Sequence, residues 1–135
     1  MKKIIFGLLL SLSVSLAYAQ SPVYRLSSHI LDVSTGLPAP DVTVKLEKLN
    51  NGSRTWETVD QKKTDKNGRI GDFLEERKNL QGIYRLTFLV EDYFRAKKTA
   101  TFYPFIEVVF QISDDKHYHV PITLSPYGYS TYRGN

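Results

Sequence analysis

Two histidines near the carboxyl terminus are the side chains in this sequence best placed for acid–base chemistry. If residues 117–124 form a strand, then His117, His119 and Pro121 share one face, because side chains alternate along a strand. The two imidazoles then stand about 7 Å apart, at roughly 3.3 Å per residue, so both can reach one small ligand. A neutral imidazole near pH 7 is suited to general-base catalysis, and a purely structural role is the alternative.

One further histidine and two arginines are candidates of a weaker kind. His29 lies in a strand-like run, where a lone histidine is more often structural than catalytic. Arg69 follows the turn residues Asn67 and Gly68, so we expect it at the start of a strand, where its side chain can project from the end of a sheet. Arg133 lies close to the chain end, and for both arginines an ordinary position on the surface is the alternative.

Several kinds of site are absent from the sequence. It contains no cysteine, which excludes thiol catalysis and disulfide bonds. It also lacks a glycine-rich phosphate loop and the Gly-x-Ser-x-Gly turn of many serine hydrolases. The three histidines could instead form a zinc shell with one open position, but an arginine close to them would repel a cation. We therefore expect a site that needs no metal and no other cofactor.

The first nineteen residues are predicted to be a secretory signal peptide, residues 1–19. Lys2 and Lys3 form a basic start, residues 4–16 are an apolar run broken only by glycine and serine, and residues 17–19 read Ala-Tyr-Ala, a small-x-small cleavage site. The mature chain is then expected to begin at Gln20, in the periplasm or outside the cell, without a membrane segment. An uncleaved membrane anchor is the alternative, although the apolar run falls short of the roughly 20 residues that span a bilayer.

The remaining residues, 20–135, are long enough for one domain with a single core. Removing nineteen residues from 135 leaves 116, and the loss of Lys2 and Lys3 lowers the formal net charge from +4 to +2. This charge is small and the lysines are scattered, so nothing favours nucleic-acid binding. Without disulfides the domain must be stabilised by packing, to which oligomerisation would add.

The mature chain is dominated by short strand-like runs with turn residues at regular spacing, a pattern typical of an antiparallel β-sandwich. Residues 91–99 break the pattern, because their acids come early and their bases late, which predicts one short helix of about two turns. In the last strand we expect Tyr118, Val120, Ile122 and Leu124 to face the core. The predicted strands cover 24–33, 42–49, 56–64, 69–73, 83–90, 106–112 and 117–124, with a turn at 34–40 and with 129–135 as a hairpin partner of the last strand.

Three separated motifs resemble the transthyretin-related family, specifically its 5-hydroxyisourate hydrolases. Residues 26–39 read Leu-Ser-Ser-His-Ile-Leu-Asp-Val-Ser-Thr-Gly-Leu-Pro-Ala, residues 64–69 read Thr-Asp-Lys-Asn-Gly-Arg, and residues 117–135 run from His-Tyr-His-Val-Pro to Tyr-Ser-Thr-Tyr-Arg-Gly-Asn. Together they span nearly the whole mature chain, and the last motif is long and specific. Transthyretin shares the fold but is not known for these histidines or the Tyr-Arg-Gly ending, so the resemblance points to the hydrolases.

The resemblance implies a fold, an assembly and a reaction. The fold is an all-β, transthyretin-like antiparallel sandwich of two four-stranded sheets with one short helix. The assembly is a homotetramer, a dimer of dimers, with active sites where the dimers meet. The reaction is the hydrolytic opening of 5-hydroxyisourate to 2-oxo-4-hydroxy-4-carboxy-5-ureidoimidazoline in urate degradation. A non-catalytic exported module that binds small ligands is the alternative.

Carried over by motif, the site residues fall into two groups. A histidine would take a proton from the attacking water, and an arginine would hold the carbonyl oxygens and stabilise the developing oxyanion. The implied catalytic residues are His29, Arg69 and His119, and the implied substrate-binding residues are His117, Tyr132, Arg133, Gly134 and Asn135.

The chain end departs from the family pattern, which usually has serine where this sequence has Asn135. A serine hydroxyl donates and accepts at one atom and can relay a proton, whereas an amide uses different atoms for the two. We therefore expect Asn135 to act mainly through its backbone and the terminal carboxylate. The bulky Tyr132 is expected to narrow the pocket, which suits a small heterocycle better than a two-ring hormone.

Overall fold

The computed structural model describes residues 20–135, so the predicted signal peptide lies outside the described residues. Within this range the chain forms ten strands and one short helix. The strands make two sheets with a hydrophobic core between them. In chain order the elements are β1 (Tyr24–Asp32), β2 (Leu37–Pro38), β3 (Thr43–Leu49), β4 (Trp56–Lys63), β5 (Arg69–Glu75), β6 (Gly82–Leu89), α1 (Glu91–Ala96), β7 (Ile106–Ile112), β8 (Tyr118–His119), β9 (Ile122–Ser125) and β10 (Gly128–Thr131).

One sheet has four antiparallel strands in the order β4-β3-β6-β7. Its two central strands place Val44, Leu46, Leu86 and Phe88 in the core, where each is 0% exposed. The strands predicted over 42–49, 56–64, 83–90 and 106–112 are confirmed, with ends that differ by at most one residue. This sheet supplies one wall of the core and none of the predicted site residues.

The other sheet is built on β1, which has partners on both of its edges. β5 and the two-residue β2 pair antiparallel with one edge, whereas β8 and β9 pair parallel with the other, and β10 pairs antiparallel with β9. The sheet therefore has six short strands rather than the four expected, and it is mixed rather than wholly antiparallel. The expected all-β sandwich of two sheets with one short helix is otherwise confirmed.

Two local features explain the extra strands. Pro121 has no N–H to donate to a ladder and separates β8 from β9, and it is buried rather than sharing the face of the histidines. Leu37 and Pro38, predicted as part of a turn, pair instead with Leu31 and Asp32. Because β8 and β9 occupy one position beside β1, and β2 and β5 another, the sheet still has four strand positions.

The core includes the strand face that alternation predicted near the carboxyl terminus. Tyr118, Val120, Ile122 and Leu124 are 4%, 5%, 1% and 0% exposed. Each large apolar side chain buried in this way stabilises the fold by roughly 1.5–3 kcal/mol. The predicted hairpin is also confirmed, since β10 pairs antiparallel with β9 across the turn at Pro126 and Tyr127.

Helix α1 begins at Glu91 and ends at Ala96, so it is shorter than the predicted 91–99. Its acids Glu91 and Asp92 lie in the first turn and Arg95 in the last, as the helix dipole favours. The helix ends early because Lys98 adopts a φ of 53°, a left-handed conformation that closes helix ends. No helix within residues 20–135 has the length and apolar character needed to cross a membrane.

The turn before β5 holds Arg69 in place. The Asp65 carboxylate accepts the backbone N–H groups of Asn67 and Arg69 at 2.8 and 2.9 Å. The carbonyl oxygen of Gly68 accepts the N–H of Ile30 at 2.9 Å, which joins the turn to β1. Gly68 has a φ of 70°, and a Cβ there would lie 2.7 Å from the carbonyl oxygen of Ile30, so the position requires glycine.

We expect Gly68→Ala to lower the free energy of unfolding by roughly 1–3 kcal/mol, because alanine is strained at a positive φ and its Cβ would overlap the Ile30 carbonyl. Gly71→Ala in the same strand is the matched control, since an added Cβ there meets nothing within 4 Å, and it should change stability by less than about 0.5 kcal/mol. Urea unfolding followed by circular dichroism gives both values, and equal losses in the two variants would contradict this account.

Candidate active site

Strand β1 carries the residues on which the site is built. Alternation directs Leu26, Ser28 and Ile30 into the core, where each is at most 1% exposed. The same alternation leaves Ser27 and His29 half-buried on the outer face of the sheet. His29 therefore faces outward, where it can meet a ligand.

The registers on the two edges of β1 bring Arg69 and His119 to the same face. His29 is paired with Arg69 in the antiparallel ladder with β5, and Ser27 is paired with His119 in the parallel ladder with β8. Residues paired in register project their side chains to the same side of a sheet. The structure therefore gathers His29, Arg69 and His119 on one surface, although the two histidines are far apart in the sequence.

Both imidazoles in this group have a pKa below the ordinary value of 6.5. In each case burial disfavours the charged ring most, and the positive charge of Arg69 acts in the same direction. The rings of His29 and His117 further lower the pKa of His119, whereas a backbone hydrogen bond to Asn67 partly opposes the shift at His29. At neutral pH both rings are therefore unprotonated, as a general base must be.

The hydroxyl of Ser27 links the two carboxy-terminal histidines. Its Oγ lies 2.8 Å from Nε2 of His117 and 2.8 Å from Nδ1 of His119. The other ring nitrogen of His117, Nδ1, lies 3.0 Å from the carbonyl oxygen of Tyr24. Both nitrogens of His117 thus contact protein groups, and its role as a substrate contact stays a prediction.

Ser27 is a site residue that sequence reasoning missed, although part of the signal was present. It precedes His29 by two residues, so alternation places the two on one face. Alternation within a strand does not give the register with a distant strand, and it is this register that sets Ser27 beside His119. That register becomes visible only in the folded chain.

The carboxyl-terminal tail lies against His119. The backbone N–H of Gly134 donates to the carbonyl oxygen of His119 at 2.8 Å, in an isolated antiparallel bridge. A Cβ at position 134 would overlap Cδ2 of the His119 ring. Only glycine lets the tail approach this closely, and Asn135 follows directly from the contact.

Two of the predicted tail residues lie away from the imidazoles in this chain. The Arg133 guanidinium carbon stands 4.5 Å from the centre of the Tyr118 ring, a cation–π contact. Arg133 and Tyr132 line a hollow of about 280 Å³ together with Val108 and Val120. The structure thus groups Gly134 with the histidines but not Tyr132 and Arg133, whose contact with substrate stays a prediction.

In the part of the chain that the structure describes, no ligand set supports the zinc site of three histidines that the sequence raised as an alternative. Among residues 20–135, no three His, Asp or Glu side chains are grouped so that they could hold a metal ion. Arg69 acts against a cation as well, since its positive charge is felt at both His29 and His119.

Comparison with known proteins identifies the family. A profile of the HIUase/Transthyretin family matches residues 26–134. This chain belongs to that family. The match begins three residues before His29 and ends at Gly134, so it contains nearly all of the three motifs, and the resemblance seen in the sequence is confirmed.

Relatives within the family include 5-hydroxyisourate hydrolases and a transthyretin. A 5-hydroxyisourate hydrolase of Salmonella dublin is 50% identical over 112 residues, which are 82% of this chain and 80% of the relative. The structure of Klebsiella pneumoniae 5-hydroxyisourate hydrolase has a TM-score of 0.71 at 35% identity, covering 84% of this chain and 100% of that one. Sea bream transthyretin in complex with thyroxine has a TM-score of 0.76 at 28% identity, covering 82% and 94%. These likenesses confirm the transthyretin-like fold and the prediction of an enzyme of the hydrolase group.

We expect Arg69→Gln to raise the pKa of both His29 and His119, because glutamine keeps much of the side chain but removes the charge that opposes protonation. With three histidines in the chain, a titration of the imidazole signals by NMR resolves each one. Arg77→Gln, at an exposed arginine outside the site, is the matched control and should leave both pKa values in place. A pKa for either histidine that stays the same or falls in Arg69→Gln would show that the guanidinium does not act on that ring.

Proposed function

We propose that this protein hydrolyses 5-hydroxyisourate to 2-oxo-4-hydroxy-4-carboxy-5-ureidoimidazoline in urate degradation. The proposal is carried by one observation, the grouping of the imidazoles of His29 and His119 with the guanidinium of Arg69 on the outer face of β1. It is supported by the 50% identity to the 5-hydroxyisourate hydrolase of Salmonella dublin. The substrate is a small, flat, polar ring, and the group offers it a base and a cation side by side.

The reaction would be attack by water on a ring amide carbonyl. The water oxygen bonds to the carbonyl carbon while its proton passes to an imidazole nitrogen. The carbon–nitrogen bond of the ring then breaks, the ring nitrogen takes up the proton, and the new carboxylic acid ionises. We assign the base to His119, whose ring is held between Ser27 and Gly134, with His29 as the second imidazole. A positioned base contributes roughly 10²–10⁴ in rate.

Arg69 would act on the reaction in two ways. Its guanidinium can donate to the carbonyl oxygen and stabilise the oxyanion that forms, where one donor contributes roughly 10²–10³ in rate. Its charge also lowers the pKa of both imidazoles, so the base is free at neutral pH. Both effects depend on the turn at Gly68, which fixes where β5 begins.

The direct test is the ultraviolet decay of 5-hydroxyisourate generated with urate oxidase. We expect the wild type to accelerate the decay, and His119→Ala and Arg69→Ala each to lose about 10²-fold or more. Arg77→Ala, outside the site, should keep wild-type activity. Asn135→Ser should change turnover by less than about tenfold, because a terminal backbone and carboxylate remain in both.

A non-catalytic small-ligand binding module is the second candidate, and the structural likeness to sea bream transthyretin favours it. A binding module has no need of a free base beside a guanidinium. Decay at the spontaneous rate with wild-type protein would contradict the hydrolase and favour the binding module. Chelator or added metal should leave the catalysed rate unchanged, and a rate that followed the metal would contradict the metal-free reaction.

We also propose that four chains assemble as a dimer of dimers. The imidazole group lies on an open face with Arg69 and His117 exposed, so one chain does not enclose a substrate. Within residues 20–135 no strand pairs with the outer edges of β7 and β10, and unpaired strand edges favour pairing with another chain. Both strands border the hollow lined by Tyr132 and Arg133, and they carry exposed Val109 and Tyr129. Light scattering should give four times the mass of the mature chain, and a fully active monomer would contradict the assembly.

Export to the periplasm or the medium is proposed from residues 1–19 alone. Cleavage after residues 17–19 should leave a protein that begins at Gln20. Sequencing the amino terminus of protein recovered from each cell fraction measures this. A membrane-bound protein that retains Lys2 and Lys3 would indicate the uncleaved anchor instead.

A further inference from the structure

The Ser27 hydroxyl has one proton and two imidazole neighbours. Its oxygen lies 2.8 Å from Nε2 of His117 and 2.8 Å from Nδ1 of His119. A hydroxyl can donate one hydrogen bond and accept others, so it must accept from at least one of the two rings. Which ring it accepts from decides which nitrogen of His119 keeps a free lone pair.

The carbonyl group of Tyr24 sets the direction of the chain of hydrogen bonds. A carbonyl oxygen only accepts, so Nδ1 of His117, 3.0 Å away, carries the proton of that bond. In a neutral imidazole the other nitrogen is then an acceptor, and Nε2 of His117 takes the hydrogen bond from Ser27. The Ser27 oxygen in turn accepts from Nδ1 of His119.

We propose that Ser27 and His117 are positioning residues that hold His119 in the tautomer with Nδ1 protonated and Nε2 free as the base. The catalytic meaning of this assignment rests on the proposed function, whereas the tautomer is a property of the free protein. Within residues 20–135 the ring of His119 has one side-chain hydrogen bond, the one at Nδ1. Gly134 closes the Cδ2 edge, which leaves Nε2 and Cε1 as the open side of the ring.

The groups that face His119 favour the neutral ring that this arrangement needs. Burial lowers its pKa most, and Arg69, His29 and His117 all act in the same direction. The backbone of Ser27 acts in the opposite direction, through a hydrogen bond that raises the pKa.

The arrangement would orient the base and support the charge that forms on it. As Nε2 of His119 accepts a proton from water, positive charge grows at Nδ1–H and strengthens its hydrogen bond to Ser27. His117 and the Tyr24 carbonyl hold the Ser27 hydroxyl in the accepting orientation, and no proton needs to move along the chain. A base oriented by a further group is a general feature of sites that activate a nucleophile, and its loss affects kcat more than KM.

The tautomer is measured by nitrogen NMR of the histidine rings in the free protein, without substrate. We expect wild-type His119 to carry its proton on Nδ1, and Ser27→Ala to show a mixture of tautomers. His117→Phe should move the proton of His119 from Nδ1 to Nε2. The Ser27 hydroxyl, no longer bonded to His117, then donates its hydrogen bond to Nδ1 of His119. Ser27→Thr, which keeps a hydroxyl, should resemble the wild type. A wild-type proton on Nε2, or an unchanged tautomer in Ser27→Ala, would overturn the proposal.

The matched control is Ser28→Ala, the neighbouring serine on the same strand. Its Oγ donates to the carbonyl oxygen of Val120 at 2.8 Å on the buried face, so the variant loses a hydroxyl bond without touching either imidazole. It should lower stability and leave the tautomer of His119 unchanged. A tautomer change in Ser28→Ala as large as in Ser27→Ala would show that the effect is structural, against the proposal.

Kinetics then separate positioning from folding. We expect kcat of Ser27→Ala and His117→Phe to fall about 10- to 100-fold with little change in KM, as for other residues that orient a functional ring. Ser27→Thr should recover most of the wild-type kcat, and a Thr variant as slow as the Ala variant would contradict a role for the hydroxyl. If the wild type shows the expected tautomer but does not accelerate the decay of 5-hydroxyisourate, the proposed function fails while the tautomer assignment stands.

Discussion

The pairing of β1 along both of its edges is the interaction on which the rest of the structure depends. The antiparallel ladder with β5 sets Arg69 opposite His29, and the parallel ladder with β8 sets His119 opposite Ser27. Because side chains alternate along a strand, a slip of one residue on either edge would turn a site residue into the core and a core residue into solvent. Backbone register therefore fixes which polar side chains lie together on the outer face.

The core stabilises this register, because any other register would expose side chains that are now buried. Tyr118 and Val120, on either side of His119, are 4% and 5% exposed, and exposing such side chains costs roughly 1.5–3 kcal/mol each.

The two histidines of the site also make the stability of the protein depend on pH. Since the pKa of His29 and of His119 in the folded chain lies below 6.5, protonation below that pH favours the unfolded chain. The site thus keeps its imidazoles free at neutral pH and loses stability in acid.

Much of the fold and part of the site could be predicted from the sequence. Alternation within a strand is local and correctly placed the core face around Tyr118. The turn residues Asn67 and Gly68 are also a local signal, and they correctly placed Arg69 at the start of a strand. The split at Pro121, the short strand β2 and the parallel pairing of β8 depend on contacts between distant segments, and periodicity carries no information about those. For the same reason Ser27 was missed as a partner of His119. The packing of Arg133 on Tyr118 likewise depends on where the tail lies in three dimensions.

In the proposed reaction His119 and Arg69, brought together by β1, act on the same reacting carbonyl. A double-mutant cycle in kcat/KM for 5-hydroxyisourate tests this most directly, with His119→Ala, Arg69→Ala and the double variant. Residues that act as a unit on one transition state show effects far from additive, so the double variant should be scarcely slower than the slower single variant. Losses that simply multiply would show that the two side chains act independently, and would contradict the account.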